Sequence, residues 1–135
     1  MKKLLSTHYN ALSFNMAMLL LRVALGVLMM SHGYDKLVHF SEYKVGFHNF
    51  LGLGSTTSLL LVIFAEFFCA LFITIGLFTR IIAVPLVINM VVVVFTVHKM
   101  DFFGKGELGA LYLAGYIVLL LCGPGKASVD GIASK

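Results

Sequence analysis

Four long apolar runs, separated by short polar connections, leave this chain few ways to fold. The first extends from about Phe14 to Gly33, interrupted only by Asn15, Arg22, Ser31 and His32. At ~1.5 Å per residue it reaches ~30 Å, one hydrocarbon thickness of a bilayer. A second run, from about Thr57 to Phe78, holds one ionisable residue, Glu66. A third follows from Ile81 to Val97 or His98, with Pro85 and Asn89 inside it, and the tight link at Thr79 and Arg80 makes these two runs antiparallel neighbours. The fourth, from about Glu107 to Cys122, is shorter and stops at the helix-breaking cluster Gly123, Pro124 and Gly125. A β-rich soluble fold is the alternative suggested by Val91 to Phe95, but soluble strands seldom need uninterrupted runs of this length.

Composition agrees with a membrane fold. Of 135 residues, 60% are apolar and 12% charged, against roughly 45 to 50% and about 25% in a soluble domain. The expected architecture is an all-α integral membrane four-helix bundle in a single domain, residues 1–135, with spans near 14–33, 57–78, 81–98 and 107–122. The segment from Tyr34 to Gly54 carries Phe40, Tyr43, Phe47, Phe50 and Leu51 at the spacing of one helical face. Two readings stand for it: a short interfacial helix on the membrane surface, or a loop over the bundle mouth.

The net charge of +4 comes from Lys and Arg scattered singly between apolar runs, with no basic stripe to follow a nucleic-acid backbone. Lys2, Lys3, Arg80, Lys126 and Lys135 fall on the side of the termini, and Lys36, Lys44, Lys99 and Lys105 on the other. This bias places both termini in the cytoplasm. Met1, Lys2 and Lys3 resemble a signal-peptide start, but the polar residues that follow and the lack of an early cleavage site predict a retained first span. Cys69 and Cys122 have neither C-x-x-C nor zinc-finger spacing. Helical rise leaves a disulfide between them open, and small buried hydrophobes are the commoner role.

Arg22 and Glu66 are costly in a bilayer unless paired or hydrated. Arg22 lies ~12 Å from the cytoplasmic end of its run and Glu66 ~13 to 14 Å from the outer end of its own, nearly the same level. An intramembrane Arg22 to Glu66 ion pair is therefore expected, either fixing helix register or lining a proton or substrate route. At the outer rim, His32, Asp35 and Lys36 end span one, His98 ends span three and Glu107 starts span four. Imidazoles and carboxylates gathered there can relay protons, bond a quinol or bind a divalent metal, but no H-E-x-x-H or other diagnostic metal spacing occurs, and no metal is assigned. Asn89, Pro85, Gly26, Gly33 and Gly76 read as packing residues.

The stretches LLLRVALGVLMMSHGYDKL, AEFFCALFITIGLFTR and, from Glu107, the run ending in LCGPGKASVD resemble the DoxX family from Leu19 to Asp130. The elements that carry the resemblance are Arg22 with Gly26, His32-Gly33 with Lys36, Glu66 with Gly76, Thr79 and Arg80, then Glu107, Gly123-Pro124-Gly125 and Asp130. It implies a four-span bacterial inner-membrane protein. Named relatives include a membrane subunit of a thiosulfate to quinone oxidoreductase and a partner of secreted superoxide-detoxifying proteins.

The chain has no cofactor-binding motif and lacks the paired cysteines of quinone-linked thiol oxidases, so a partner is expected to carry electrons. The leading expectation is a quinone-associated membrane subunit of a respiratory or redox-stress assembly, contributing a quinone pocket or proton path. A non-enzymatic scaffold for redox partners is the alternative, and a small dimeric transporter the third; no inverted repeat supports the last. Expected partners are the lipid bilayer and other proteins or further copies of the chain.

Overall fold

A computed structural model describes residues 4–135 of the chain. Its helices are α1 (Ala11–Val38), α2 (Phe40–Tyr43), α3 (Ser55–Ile75), α4 (Thr79–Val97), α5 (Glu107–Cys122) and α6 (Val129–Ala133). No strand occurs among the described residues. By length and composition α1, α3 and α4 can each cross a membrane, and α5 is a shorter apolar helix of 16 residues, ~24 Å long. Lys2 and Lys3, used in the charge count above, lie outside the described residues.

The bundle is apolar on the outside. Leu20, Leu28, Ile81, Leu111 and Leu121 are exposed, whereas Arg22, Ser58, Glu66, Thr79 and Asn89 are buried. Water would penalise that arrangement, and hydrocarbon favours it, because polar groups in a membrane find partners only inside the bundle.

Side-chain contacts give the topology. On α1, Gly33 meets Glu66 and Phe67 while Gly26 meets Ala70 and Thr74, so α1 and α3 run antiparallel. Gly109 meets Val94, and Arg80 reaches the Leu121 carbonyl, which makes α4 and α5 antiparallel. Gly115 lies against Leu25, and the Tyr116 hydroxyl donates to the Leu25 carbonyl at 3.4 Å, pairing α5 with α1. Both described ends and the turn at 76–78 therefore share one end of the bundle, called here the terminal face. The connections 39–54 and 98–106 form the opposite, loop face.

Local chemistry sets the helix limits. The Asn10 side chain accepts from the Ser13 N–H at 2.7 Å and caps α1. The helix then continues past Gly33 through Tyr34, Asp35 and Lys36 to Val38, so it outruns its apolar stretch at both ends. Gly76, left-handed at φ +75°, ends α3, with its own N–H and that of Leu77 folding back on Ile73 and Phe72. Pro85 sits inside α4 and cannot donate to the Ile81 carbonyl one turn before it. Two π-helical turns interrupt the spans, at Phe64–Cys69 in α3 and Val92–Val97 in α4.

Of the two readings for the first connection, the loop over the mouth describes most of it. Its helix is the single turn α2, and residues 44–54 form turns and bends. The loop is tied to the start of α3: the Phe50 N–H donates to Ser58 Oγ at 2.9 Å, and the Ser55 hydroxyl donates to the Phe47 carbonyl at 3.0 Å.

Candidate functional site

Glu66 projects from the π turn of α3. A π turn carries an extra residue that re-aims its side chains, and such turns are common at functional sites. One Glu66 oxygen accepts from Lys36 Nζ at 2.6 Å, and the other accepts from the Asn89 amide at 3.1 Å. The side chains of Lys36 and Glu66 are 20% and 5% exposed. Spans one, two and three of the sequence, now α1, α3 and α4, thus meet at the one carboxylate that α3 carries.

The expected Arg22 to Glu66 pair does not form. Gly33 is the α1 residue level with Glu66, and it lies about three turns, roughly 16 Å, beyond Arg22. The depth estimate failed because α1 extends past its apolar run and because glycine contacts, rather than span ends, set the register. Arg22 instead lies at the terminal face, buried, with an N–H donating to the Ala127 carbonyl at 2.7 Å. Its Nε and Nη1 have no partner among the described residues. Gly76 leaves room for its guanidinium, since a Cβ there would collide with it.

On the loop-face side of the Lys36, Glu66 and Asn89 cluster is a cavity of about 1220 Å³. His32, Asp35, Lys36 and His98 line it, so four of the five expected rim residues come together. Glu107 does not: it is exposed in the first turn of α5 and is absent from the lining. The His32 ring stands edge-on to Tyr112, centroids 6.1 Å apart. Asp35 accepts from the Tyr43 hydroxyl at 2.7 Å and lies 3.2 Å from His39 Nδ1. That bond, with the carboxylate charge behind it, holds the Tyr43 phenol above its ordinary value. His48, Phe47 and Phe50 close the roof.

Two participants escaped the sequence reading. Asn89 looked like a packing residue, yet it holds Glu66. Tyr112 lies in the fourth apolar run, inside a stretch that carries the family resemblance but without a role of its own there; it lines the cavity, and its hydroxyl makes no hydrogen bond among the described residues. The only available signal was that both are polar groups in spans, which need partners. Lys36, the Tyr112 hydroxyl and Asn89 offer hydrogen bonds at the bottom of walls built from Met29, Val62, Ala65, Ile88 and Met90. An uncharged ring bearing acceptor oxygens suits such a lining. Among the described residues no group of three His, Cys, Asp or Glu is placed to hold a metal ion. Cys69 is buried in the core and Cys122 is exposed, and both are free thiols.

The terminal face has its own polar cluster. The Asp130 carboxylate accepts from the Phe78 and Thr79 N–H groups at 2.7 and 2.8 Å, capping α4 from the tail. The Asp130 N–H donates in turn to the Gly76 carbonyl, and the Lys126 N–H donates to Asn15 Oδ1. Burial opposes the Asp130 charge, but the two backbone donors, the Thr79 side chain and nearby Arg22 outweigh it, and the carboxyl titrates below its ordinary value.

No curated protein and no solved structure matches the chain significantly. The family model for DoxX matches residues 17–99, more than half of the chain, spanning Arg22, Lys36, Glu66 and Asn89 and ending before Glu107 and Asp130. With three helices long and apolar enough to cross a bilayer, this is a membrane protein, and the chain belongs to the DoxX family.

Proposed function

We propose that the chain is the membrane subunit of a quinone-linked respiratory or redox-stress assembly of the bacterial inner membrane, with both termini in the cytoplasm. The loop-face cavity receives the quinone headgroup, and a partner protein supplies or removes the electrons. The observation that carries this reading is a hydrogen-bonding floor of Lys36, Glu66 and Asn89 beneath a largely apolar cavity. Lys36 has N–H groups beyond the one given to Glu66, and the Tyr112 hydroxyl has no partner among the described residues, so both can donate to quinone oxygens. Glu66, held by two donors, keeps the Lys36 side chain in place. His32, Asp35 and His98 at the rim suit proton exchange with the water at the loop face.

Titrating the protein in lipid nanodiscs with a ubiquinone or menaquinone analogue tests the proposal. Saturable binding at one site per chain is expected, and its absence both with and without a native partner overturns it. A scaffold role is favoured by one separate observation: Val45, Leu51 and Phe103 on the two loop-face connections are 79%, 80% and 99% exposed, an apolar edge fit for docking. Replacing the three with Ser would abolish partner copurification under that reading and spare quinone binding.

A further inference from the structure

Three of the four seams between neighbouring spans are closed by glycine. Gly26 and Gly33 draw α1 onto α3, Gly109 draws α5 onto α4, and Gly115 draws α5 onto α1. The fourth seam, between α3 and α4, has none, for neither helix contains a glycine. It is closed from the terminal face as far as Glu66 and Asn89, where the π turn of α3 packs on α4. Beyond that level the helices choose different partners. Ser55–Ile63 of α3 packs on α1 and on its own π turn, while Val92–Val97 packs on α5 and on the preceding part of α4.

The change of partner falls where both helices are irregular. The π turn begins at Phe64 in α3, and Pro85 breaks the hydrogen-bond ladder of α4 one turn before Asn89. Leu61 and Phe64 on α3 and Ile88 on α4 line the cavity, yet they are 48%, 52% and 52% exposed. A residue that is both cavity wall and outer surface marks an opening. Phe64 and Ile88 each lie about 13 to 14 Å along their helices, at the depth of hydrocarbon rather than of water.

We infer that the cavity is entered sideways from the bilayer, through the gap between α3 and α4, and that its ligand is an amphiphile with a hydrogen-bonding headgroup and a hydrocarbon tail that stays in the gap. This rests on the quinone reading for the headgroup and adds the tail and its route. The headgroup reaches Lys36 and Tyr112, and the tail lies against Leu61, Phe64 and Ile88. The loop-face route is roofed by residues 39–50, which the Phe50 and Ser55 hydrogen bonds hold on α3. A tail gains little by leaving hydrocarbon for this gap. Its role is to aim the headgroup inwards while remaining solvated by lipid.

The chain contains no tryptophan, so a single introduced one is a clean reporter. Val62→Trp places it on the cavity wall, half-buried, and Leu20→Trp places it on the lipid-facing side of α1 as a control. Emission of each is compared in nanodiscs of brominated-chain and ordinary phosphatidylcholine, and the ratio of the two cancels direct quenching by a quinone. V62W is expected to lose emission to brominated chains about as fully as L20W, and aqueous iodide is expected to quench it little. A decyl-tailed benzoquinone should then shield V62W from the brominated chains, whereas the same ring without a tail should not.

Iodide quenching of V62W without quenching by brominated chains would overturn the lateral route. Equal shielding by the tail-less ring would overturn the tail. Chain access is read with no quinone present, so the route can fail while quinone binding stands, and the reverse. Val93→Trp, also on the cavity wall, replaces V62W if that variant does not fold.

Discussion

Lys36 and Glu66 close a 2.6 Å ion pair about one helical turn beyond Gly33, where α1 touches α3. Removing one partner leaves the other without its ion-pair partner in a part-buried site. Lys36→Met is expected to cost about 3 kcal/mol of bundle stability and Glu66→Gln somewhat less, because Lys36 is partly exposed and can turn to the cavity. The double variant should recover most of the loss. Equilibrium unfolding of all four proteins in a mild detergent gives the coupling energy, and a value near zero would mean that the pair does not bind the helices.

Gly33 is what allows the pair to form. A Cβ at this position would lie 2.6 Å from the Phe67 nitrogen, against backbone that cannot move aside. Gly33→Ala should therefore push α1 from α3, destabilise the protein by about 1 to 3 kcal/mol and weaken quinone binding with it. Gly46→Ala is a useful contrast: a Cβ there meets nothing within 4 Å, but φ is +85°, so the expected penalty is local strain of about 1 kcal/mol with the cavity floor untouched. Thermal denaturation alongside quinone titration separates the two cases.

Tyr112→Phe removes only a hydroxyl that has no hydrogen-bond partner among the described residues. Stability should stay within about 0.5 kcal/mol of the parent. Affinity for a quinone analogue should fall about fivefold, the worth of one neutral hydrogen bond. An unchanged affinity would place the headgroup away from Tyr112.

The tail latch is sensitive to acid. The folded pKa of Asp130 lies below its ordinary value of 3.8, so the stabilisation is fully present above that value and is lost as pH falls through the lower, folded one. Exchange of the Phe78 and Thr79 amides, corrected for the intrinsic effect of pH, should accelerate across that acid window in the parent. In Asp130→Asn it should be faster at neutral pH and lack that transition. The cap itself is worth about 1 kcal/mol.

Much of the bundle was legible because bilayer thickness and helical rise convert apolar run lengths directly into spans. The seam contacts were less so. Which residues of α1 and α3 stand level depends on Gly26 and Gly33 touching backbone, and the apolar run by itself places Arg22 about two turns too near Glu66. Lys36 was read as part of the rim because it follows the run, although its long side chain reaches back to a carboxylate within the bundle. Asn89 and Tyr112 acquire meaning only through their neighbours. The π turns and the unsealed α3 to α4 seam have no signature in composition, apart from Pro85 and the want of glycine on either side of it.

Quinone affinity of the parent and of Lys36→Met, measured side by side in lipid nanodiscs with folding checked by circular dichroism, tests the central claim most directly. The predicted result is saturable one-site binding by the parent and affinity about tenfold weaker or worse in the folded variant, the cost of losing a charged donor. Equal binding by both proteins, or uptake that never saturates in either, would contradict the assignment of Lys36 and Glu66 as the floor of a quinone site.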